Sequence, residues 1–317
     1  MKKKKLLTAI NILIALAIII ISETNYINSD FVVEESGEIN VYFCPKDNCS
    51  NHFEKKILQS NEVKCAFYDL TNQKIIKSIN DKKKEILIDE DNFEGFGKKI
   101  KSEGLMHNKF CVLDEKIVIT GSYNPTQNNF NQNNIIIIES ETLAKNYLEE
   151  FEEIKNGGKE KTKHSTLTFN NKHLQNYFCP DDKCKEKILR ELSKAKEKIL
   201  FMTFTFTDKD ISNLLIKKHK EGLEIKGIIE KFQNSKYSVY QTLASNKINI
   251  SYYEGEGFQH NKVFIIDDKT VITGSYNPTN AANNVNDENI IILTQEDIVK
   301  DYVTYFEELS ESFTNIS

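Results

Sequence analysis

The chain of 317 residues is 39% hydrophobic and 28% charged, which fits a globular fold of two domains or one large duplicated domain. Its net charge is −5 and Arg190 is the sole arginine, which excludes a global basic field that would gather nucleic acid. Any phosphate is then held locally, by compact lysine ammonium groups and not by bidentate guanidinium forks.

Lys2 to Lys5 precede an apolar run, Leu6 to Ile21, that is broken only by Thr8 and Asn11. Basic residues before an apolar segment favour a cytoplasmic N-terminus with the rest of the chain exported. Sixteen residues fall between the length of a spanning helix and that of a signal-peptide core, and no small-residue cleavage site follows. Residues 1–22 are therefore expected to be a signal-anchor. A cleaved signal peptide and an ordinary buried helix are the alternatives. Residues 23–38 read as a polar tether. The globular part is expected outside the cytoplasm, anchored through residues 6–21 or secreted if the segment is cleaved.

A first half follows over residues 39–155. Strands are expected at Val63 to Tyr68, at Glu85 to Asp89 and at Asn134 to Glu139. A closing helix carries Leu143, Tyr147, Leu148, Phe151 and Ile154 on its apolar face. Residues 156–172, rich in Gly, Lys, Thr and Asn, read as a flexible linker.

The second half, 173–317, reads more clearly. Lys185 to Lys198 places Ile188, Leu189, Leu192 and Ala195 on one helical face. A strand at Ile199 to Phe206 leads to a helix from Asp208 to Glu221, capped near Thr207 or Asp208 and stopped by Gly222. Strands at Leu223 to Glu230 and Asn289 to Leu293 precede a last helix, Asp297 to Phe313. Cys44 lies 63 residues before His107 and Cys179 lies 81 before His260, so the first half lacks about a helix and a loop. Alternating strands and helices imply an α/β sandwich with a mixed sheet in each half.

Two internal repeats tie the halves together. The pattern Cys-Pro-x-Asp-x-Cys occurs at Cys44 to Cys49 and again at Cys179 to Cys184. These thiols suit two local disulfides outside the cytoplasm, one zinc site of four thiolates, or simply a proline turn at a strand end with the Asp as a helix cap. Cys65 and Cys111 sit in apolar stretches and are expected to be merely buried. The second repeat is longer. His107 to Thr126 returns as His260 to Thr279, offset by 153 residues, with 14 of 20 positions identical. Its His, Asn, Lys, Asp, Gly, Ser, Tyr and Asn positions are all kept, while the changes are mostly apolar for apolar. A hairpin duplicated for structural reasons gives no cause to keep His and Lys twice. One active site built across a pseudo-twofold axis does. Val263 to Ile266 and Thr270 to Thr273 form the arms of that hairpin.

The repeated pattern is His-x-Lys-x4-Asp-x6-Gly-Ser-x-Asn: His107, Lys109, Asp114, Gly121, Ser122 and Asn124, then His260, Lys262, Asp267, Gly274, Ser275 and Asn277. It resembles the HKD motif of the phospholipase D superfamily. The resemblance implies two phospholipase D-like α/β/α halves related by a pseudo-twofold axis, packed sheet edge to sheet edge with both motifs at the interface. One chain carries both motifs, so no homodimer is required for catalysis.

The chemistry implied needs two imidazoles with opposite tasks. One, neutral, attacks phosphorus to give a phosphohistidine; the other, protonated, releases the leaving alcohol and then serves as base for water. Lys109 and Lys262 would neutralise the phosphoryl oxygens, and Ser122, Asn124, Ser275 and Asn277 would donate hydrogen bonds. Asp114 and Asp267 complete the catalytic set, and the inventory needs neither metal nor cofactor. Superfamily members usually place an acidic residue about a dozen positions after Gly-Ser to orient the histidine. Glu288 holds that place in the second half, and Asn133 aligns with it in the first. The expectation is that His107, beside an amide, is the nucleophile and His260, beside Glu288, the acid, although a carboxylate also sharpens a nucleophile. His52, His164, His173 and His219 have no repeat partner. The Asn-rich stretches at 127–134 and 280–289 read as rim loops or simple turns.

Two substrate classes remain. The Gly-Ser-Tyr-Asn run and the strand Thr203 to Thr207 look like the small bacterial endonuclease branch, so a metal-independent nuclease acting on DNA or RNA is the first expectation. Phospholipid hydrolysis or phosphatidyl transfer, as in cardiolipin synthases, is the alternative, and it suits a membrane tether.

Overall fold

In the computed structural model, residues 32–127 and 130–314 are described. The expected anchor at Leu6 to Ile21 lies outside them, and among the described residues no helix is long and apolar enough to cross a membrane. After a short strand, β1 (Val33–Glu35), the first half runs β2 (Ile39–Cys44), α1 (Cys49–Gln59), β3 (Glu62–Phe67), α2 (Gln73–Asn80), β4 (Lys83–Asp89), β5 (Lys98–Ile100), β6 (Lys109–Leu113), β7 (Ile117–Gly121), β8 (Asn133–Glu139) and α3 (Glu141–Asn156). The second half runs β9 (Thr166–Phe169), β10 (Lys172–Cys179), α4 (Cys184–Lys194), β11 (Lys198–Thr203), α5 (Lys209–Lys220), β12 (Glu224–Glu230), α6 (Tyr240–Ser245), β13 (Asn249–Tyr253), β14 (Lys262–Ile266), β15 (Thr270–Gly274), α7 (Asn280–Asn284), β16 (Glu288–Leu293) and α8 (Glu296–Thr314). The helix that the spacing finds missing from the first half corresponds to α6.

The first sheet has the order β2-β8-β7-β6-β3-β4-β5, and the second repeats it as β10-β16-β15-β14-β11-β12-β13, with β9 and β1 added at one edge. β3, β4 and β5 pair in parallel and the remaining pairs of the first sheet are antiparallel, a mixed arrangement duplicated in the second. The inner strands β8 and β16 read as unbroken isoleucine-rich runs because both of their faces are covered. Side-chain caps fix the helix starts: Asn72 accepts from Lys74 N and Ile75 N, and Asp208 from Asp210 N and Ile211 N.

Three sequence expectations change. The linker at 156–172 contains β9, which pairs antiparallel with β10 through a turn whose Asn170 and Asn171 both have positive φ, 51° and 61°. The tether at 23–38 contains β1. Cys65 and Cys111 are buried, as expected, but they also form a disulfide, because they face each other in the register of β3 and β6. Their counterparts in the second sheet are Phe201 and Phe264, likewise paired, with ring centroids 6.1 Å apart. The exchange of volume carries to the next strand. Phe201 lies over Gly227, where an added Cβ would meet the ring at 2.1 Å, whereas the smaller Cys65 faces Ile86.

The repeated Cys-Pro turns close as Cys44–Cys49 and Cys179–Cys184 disulfides, so the four-thiolate zinc alternative falls away. Asp47 and Asp182 do not cap the following helices. Each carboxylate accepts from the backbone N–H at the start of its own turn, Phe43 at 2.8 Å and Phe178 at 2.9 Å. The turns end β2 and β10 opposite the first residues of β8 and β16, which pairs Cys44 with Asn133 and Cys179 with Glu288.

The halves do not meet at their sheet edges. Inner strands approach one another instead, and the bonds across the axis come in matched pairs. Thr120 donates to Asn289 at 3.0 Å and Thr273 to Asn134 at 3.1 Å. Asn289 donates to Asn108 at 2.7 Å and Asn134 to Asn261 at 2.8 Å. The backbone N–H of His107 donates to Asp287 O and that of His260 to Gln132 O, both at 2.9 Å. Every member of the asparagine network is fully buried, so its satisfaction fixes the register of one half on the other.

Candidate active site

Each motif places its histidine just before an inner strand and its lysine as the first residue of that strand, β6 or β14. The approach to each histidine is pinned by an acid at the end of β4 or β12: Asp89 accepts from Met106 N at 2.8 Å and Glu230 from Gln259 N at 2.7 Å. The lysines are almost wholly buried, and each ammonium donates to the carbonyl of its own histidine. An aromatic ring backs each pair. Tyr68 lies 4.9 Å from the His107 ring with Lys109 over its face, and Phe204 lies 4.7 Å from the His260 ring with Lys262 over its face.

The histidine partners cross the axis. His107 Nδ1 bonds Glu288 Oε2 at 2.8 Å, and His260 Nδ1 bonds Asn133 Oδ1 at 2.8 Å. This overturns the expected pairing, in which each orienting residue served the histidine of its own half. Ser275 donates to the same Glu288 oxygen at 2.6 Å, and Ser122 to the same Asn133 oxygen at 3.0 Å. Both oxygens act as acceptors, so each histidine carries its proton on Nδ1 and keeps the Nε2 lone pair. Both serines are fully buried and also accept from Asn289 N or Asn134 N. They position the histidine partners and are not phosphate ligands, a second correction.

A third correction concerns Asp114 and Asp267. They sit at the far hairpin turns, five residues of strand from Lys109 and Lys262, roughly 16 Å at the usual rise. Asp114 accepts from Asn61 N and Glu62 N, and Asp267 from Lys196 N, Glu197 N and Lys198 N. Both have positive φ, 50° and 52°, so their role is to close the hairpin and tie it to the start of β3 or β11. The motif glycines answer to close approach. Gly121 and Gly274 have φ of 142°, and a Cβ would stand 2.3 Å and 2.2 Å from the carbonyl oxygens of Asn134 and Asn289. Asn124 lines a cavity beside His260, and Asn277 accepts from Thr205 N at 3.3 Å.

The electrostatics follow from burying four basic groups together. Both imidazoles are held well below the ordinary histidine range, first by burial and then by the Lys109 and Lys262 charges. Burial pushes Lys109 down to about 7, against the pull of Glu288, Asp89 and Asp69. Lys262 is lowered by burial and by Lys109. Burial raises Glu288 to about 7, opposed by Lys109 and Ser275. Each histidine feels both ammonium groups, which makes this one site and not two. It is poised for an anion that restores charge to the lysines. Tyr68, Phe204, Asp89 and Glu230 are the positioning residues that sequence reasoning missed. The first two follow the strands that carry the core, where an aromatic reads as packing.

The family described as "Cardiolipin synthase, PLD-like domain" matches residues 54–155 and 188–310. Phospholipase D of Rickettsia typhi is 32% identical over 133 residues, 42% of this chain and 65% of that protein. Mitochondrial cardiolipin hydrolase of Xenopus tropicalis is 27% identical over 139 residues, 43% of this chain and 66% of that protein. The chain thus spans just under two thirds of the length of these curated relatives. The solved structure of phosphatidylserine synthase from Haemophilus influenzae Rd KW20 superposes with a TM-score of 0.65 over 86% of this chain and 85% of that one, at 11% identity, a likeness of fold alone.

Proposed function

The chain belongs to the phospholipase D-like family, matched across both halves, and on that premise we propose that it is a phosphodiesterase acting on membrane phospholipid through a phosphohistidine. His107 Nε2 attacks phosphorus while the bond to the leaving alcohol breaks; His260, neutral in the empty site, takes up a proton at Nε2 when the phosphate anion binds and gives it to that alcohol. Water, or a second alcohol in a transfer reaction, then gives its proton to His260, attacks phosphorus and frees His107. Lys109 and Lys262 hold the non-bridging oxygens. The crossing of partners supports this order by a different argument from the sequence pairing. Bond formation at Nε2 puts positive charge on the ring, and His107 is the histidine whose Nδ1 meets a carboxylate.

The observation that favours lipid over nucleic acid is an aromatic stair rising from the site. Phe204 packs on His260, Phe258 lies 6.2 Å from Phe204, and Phe232 lies 5.8 Å from Phe258. Its upper step is open: Phe232 is 80% exposed, with Tyr237 at 68% and Phe130 at 55%. A nucleic-acid groove needs an uncompensated basic surface. Here Lys231, beside Phe232, is paired with Glu254 at 2.7 Å. Exposed aromatic rings beside a lysine whose charge is already paired suit the interface of a bilayer. The relatives named phospholipase D and cardiolipin hydrolase support the same reading. The nuclease expectation yields to it.

The test offers the full chain, with excess EDTA, vesicles of mixed phospholipids and, in parallel, single-stranded DNA and RNA. Headgroup release from the vesicles is the expected result. Cut nucleic acid with intact vesicles overturns the lipid assignment, and activity that depends on added magnesium or manganese overturns the phosphohistidine route.

A further inference from the structure

Beside His260 opens a cavity of about 350 Å³. Its wall is polar, with Asp69, Thr71, Asn124 and Asn131 facing it next to Asn133 and His260. Two acceptors in that wall, Asp69 Oδ1 and Asn124 Oδ1, are buried and meet no donor among the described residues. An acceptor left so has lost its hydration without a replacement, a cost that a ligand bearing donors relieves. Burial and the neighbouring Glu94 push the Asp69 carboxyl up, so a cation placed against it is favoured twice, by charge and by hydrogen bonds.

The cavity breaks the pseudo-twofold symmetry. Asp69 lies two residues past the end of β3, and the residue two past the end of β11 is Thr205. That hydroxyl already donates to Gln233 Oε1 at 3.2 Å. Among the described residues only one end of the site therefore carries an unsatisfied carboxylate, and it is the end where His260 delivers a proton to the departing alcohol. Among the described residues no Phe or Tyr ring lines this cavity. Quaternary ammonium groups are held by aromatic faces, whereas a primary ammonium presents three N–H donors to oxygen.

We propose that this cavity is the leaving-group site and that it takes an alcohol bearing a primary ammonium, the ethanolamine headgroup of a phospholipid, with Asp69 as its specificity-determining residue. The proposal rests on the lipid reading above.

The full chain and its Asp69→Asn variant are assayed in EDTA on vesicles containing phosphatidylethanolamine, phosphatidylcholine or phosphatidylglycerol at equal surface density. The wild type is expected to favour ethanolamine release over choline and glycerol by about tenfold in kcat/KM, the worth of about 1.4 kcal/mol, and Asp69→Asn to bring the three within about twofold. A second measurement needs no variant: free ethanolamine, but not choline, should inhibit wild-type hydrolysis of a nitrophenyl phosphodiester. Equal rates on the three headgroups, a preference that survives Asp69→Asn, or equal inhibition by the two amines overturns the headgroup assignment alone. A preference for glycerol makes the cavity a polyol site and overturns the ammonium. No release from any phospholipid, with the nitrophenyl ester still cut, overturns the lipid reading itself.

Discussion

A disulfide joins β3 to β6 in the first half, and two phenylalanines fill the same pair of positions in the second. The strand beside them adjusts, Ile86 against the sulfurs and Gly227 against the rings. Both solutions fill a similar volume and leave the strands in equivalent register, so the exchange is nearly silent in structure. Asn133 and Glu288 are also equivalent, each the first residue of its strand. Their exchange moves no backbone, yet it gives one histidine a neutral partner and the other a carboxylate. A duplicated fold can thus differ freely in its core while a single polar exchange at the axis separates the tasks of its two imidazoles.

The comparison is broken most severely at the histidines. His107→Ala and His260→Ala should each lower phosphodiesterase kcat/KM by at least about 10³-fold, because the motifs form one unit. Two independent sites would leave each variant about half the rate.

Next comes the partner exchange. Glu288→Gln should cost about 10²-fold in kcat/KM, and Asn133→Ala about tenfold, since the first removes charge stabilisation and the second only orientation. Glu288 titrates at about 7 in the fold, so wild-type kcat/KM should fall as pH drops through that value and the Glu288→Gln profile should lose this limb. Stability runs the other way. A carboxyl raised above its ordinary 4.5 contributes stability that is full below pH 4.5 and lost as pH rises through about 7. The Tm of the wild type relative to Glu288→Gln should therefore decline across that window.

The remaining effects lie in the core and fall on stability, not on rate. Closing a separation of 46 residues, Cys65–Cys111 should stabilise the fold by about 4 kcal/mol, and Cys44–Cys49, closing 5, by about 2 kcal/mol. Urea denaturation of the paired alanine variants checks the order. Cys65→Phe with Cys111→Phe should be unstable alone and regain stability when Ile86→Gly is added, which would reproduce the solution of the second half.

Much of this was legible in the chain itself. The repeat exposed the His–Lys pairs, the hairpins and a duplicated α/β sandwich, because polar residues kept twice among exchanged apolar ones mark a site. The crossing of Glu288 to His107 was hidden, since alignment sets each residue beside its own motif while the twofold sets it beside the other. Cys65 and Cys111 become partners only once the register of β3 on β6 is known. The alternation Thr166, Leu167, Thr168, Phe169 before two asparagines does signal a strand and turn, but its polar setting masks it. Asp114 and Asp267 share the motif's spacing with the catalytic pair, and only the length of the strand between them separates turn from site.

The division of labour rests most directly on where phosphorus becomes attached. An activated nitrophenyl phosphodiester needs no acid for its leaving group. Incubated with the His260→Ala protein, it should leave a phosphoryl adduct that peptide mapping places on His107, and the His107→Ala protein should form no adduct. An adduct on His260 in any variant that retains it would contradict the account and make Glu288 the partner of the acid.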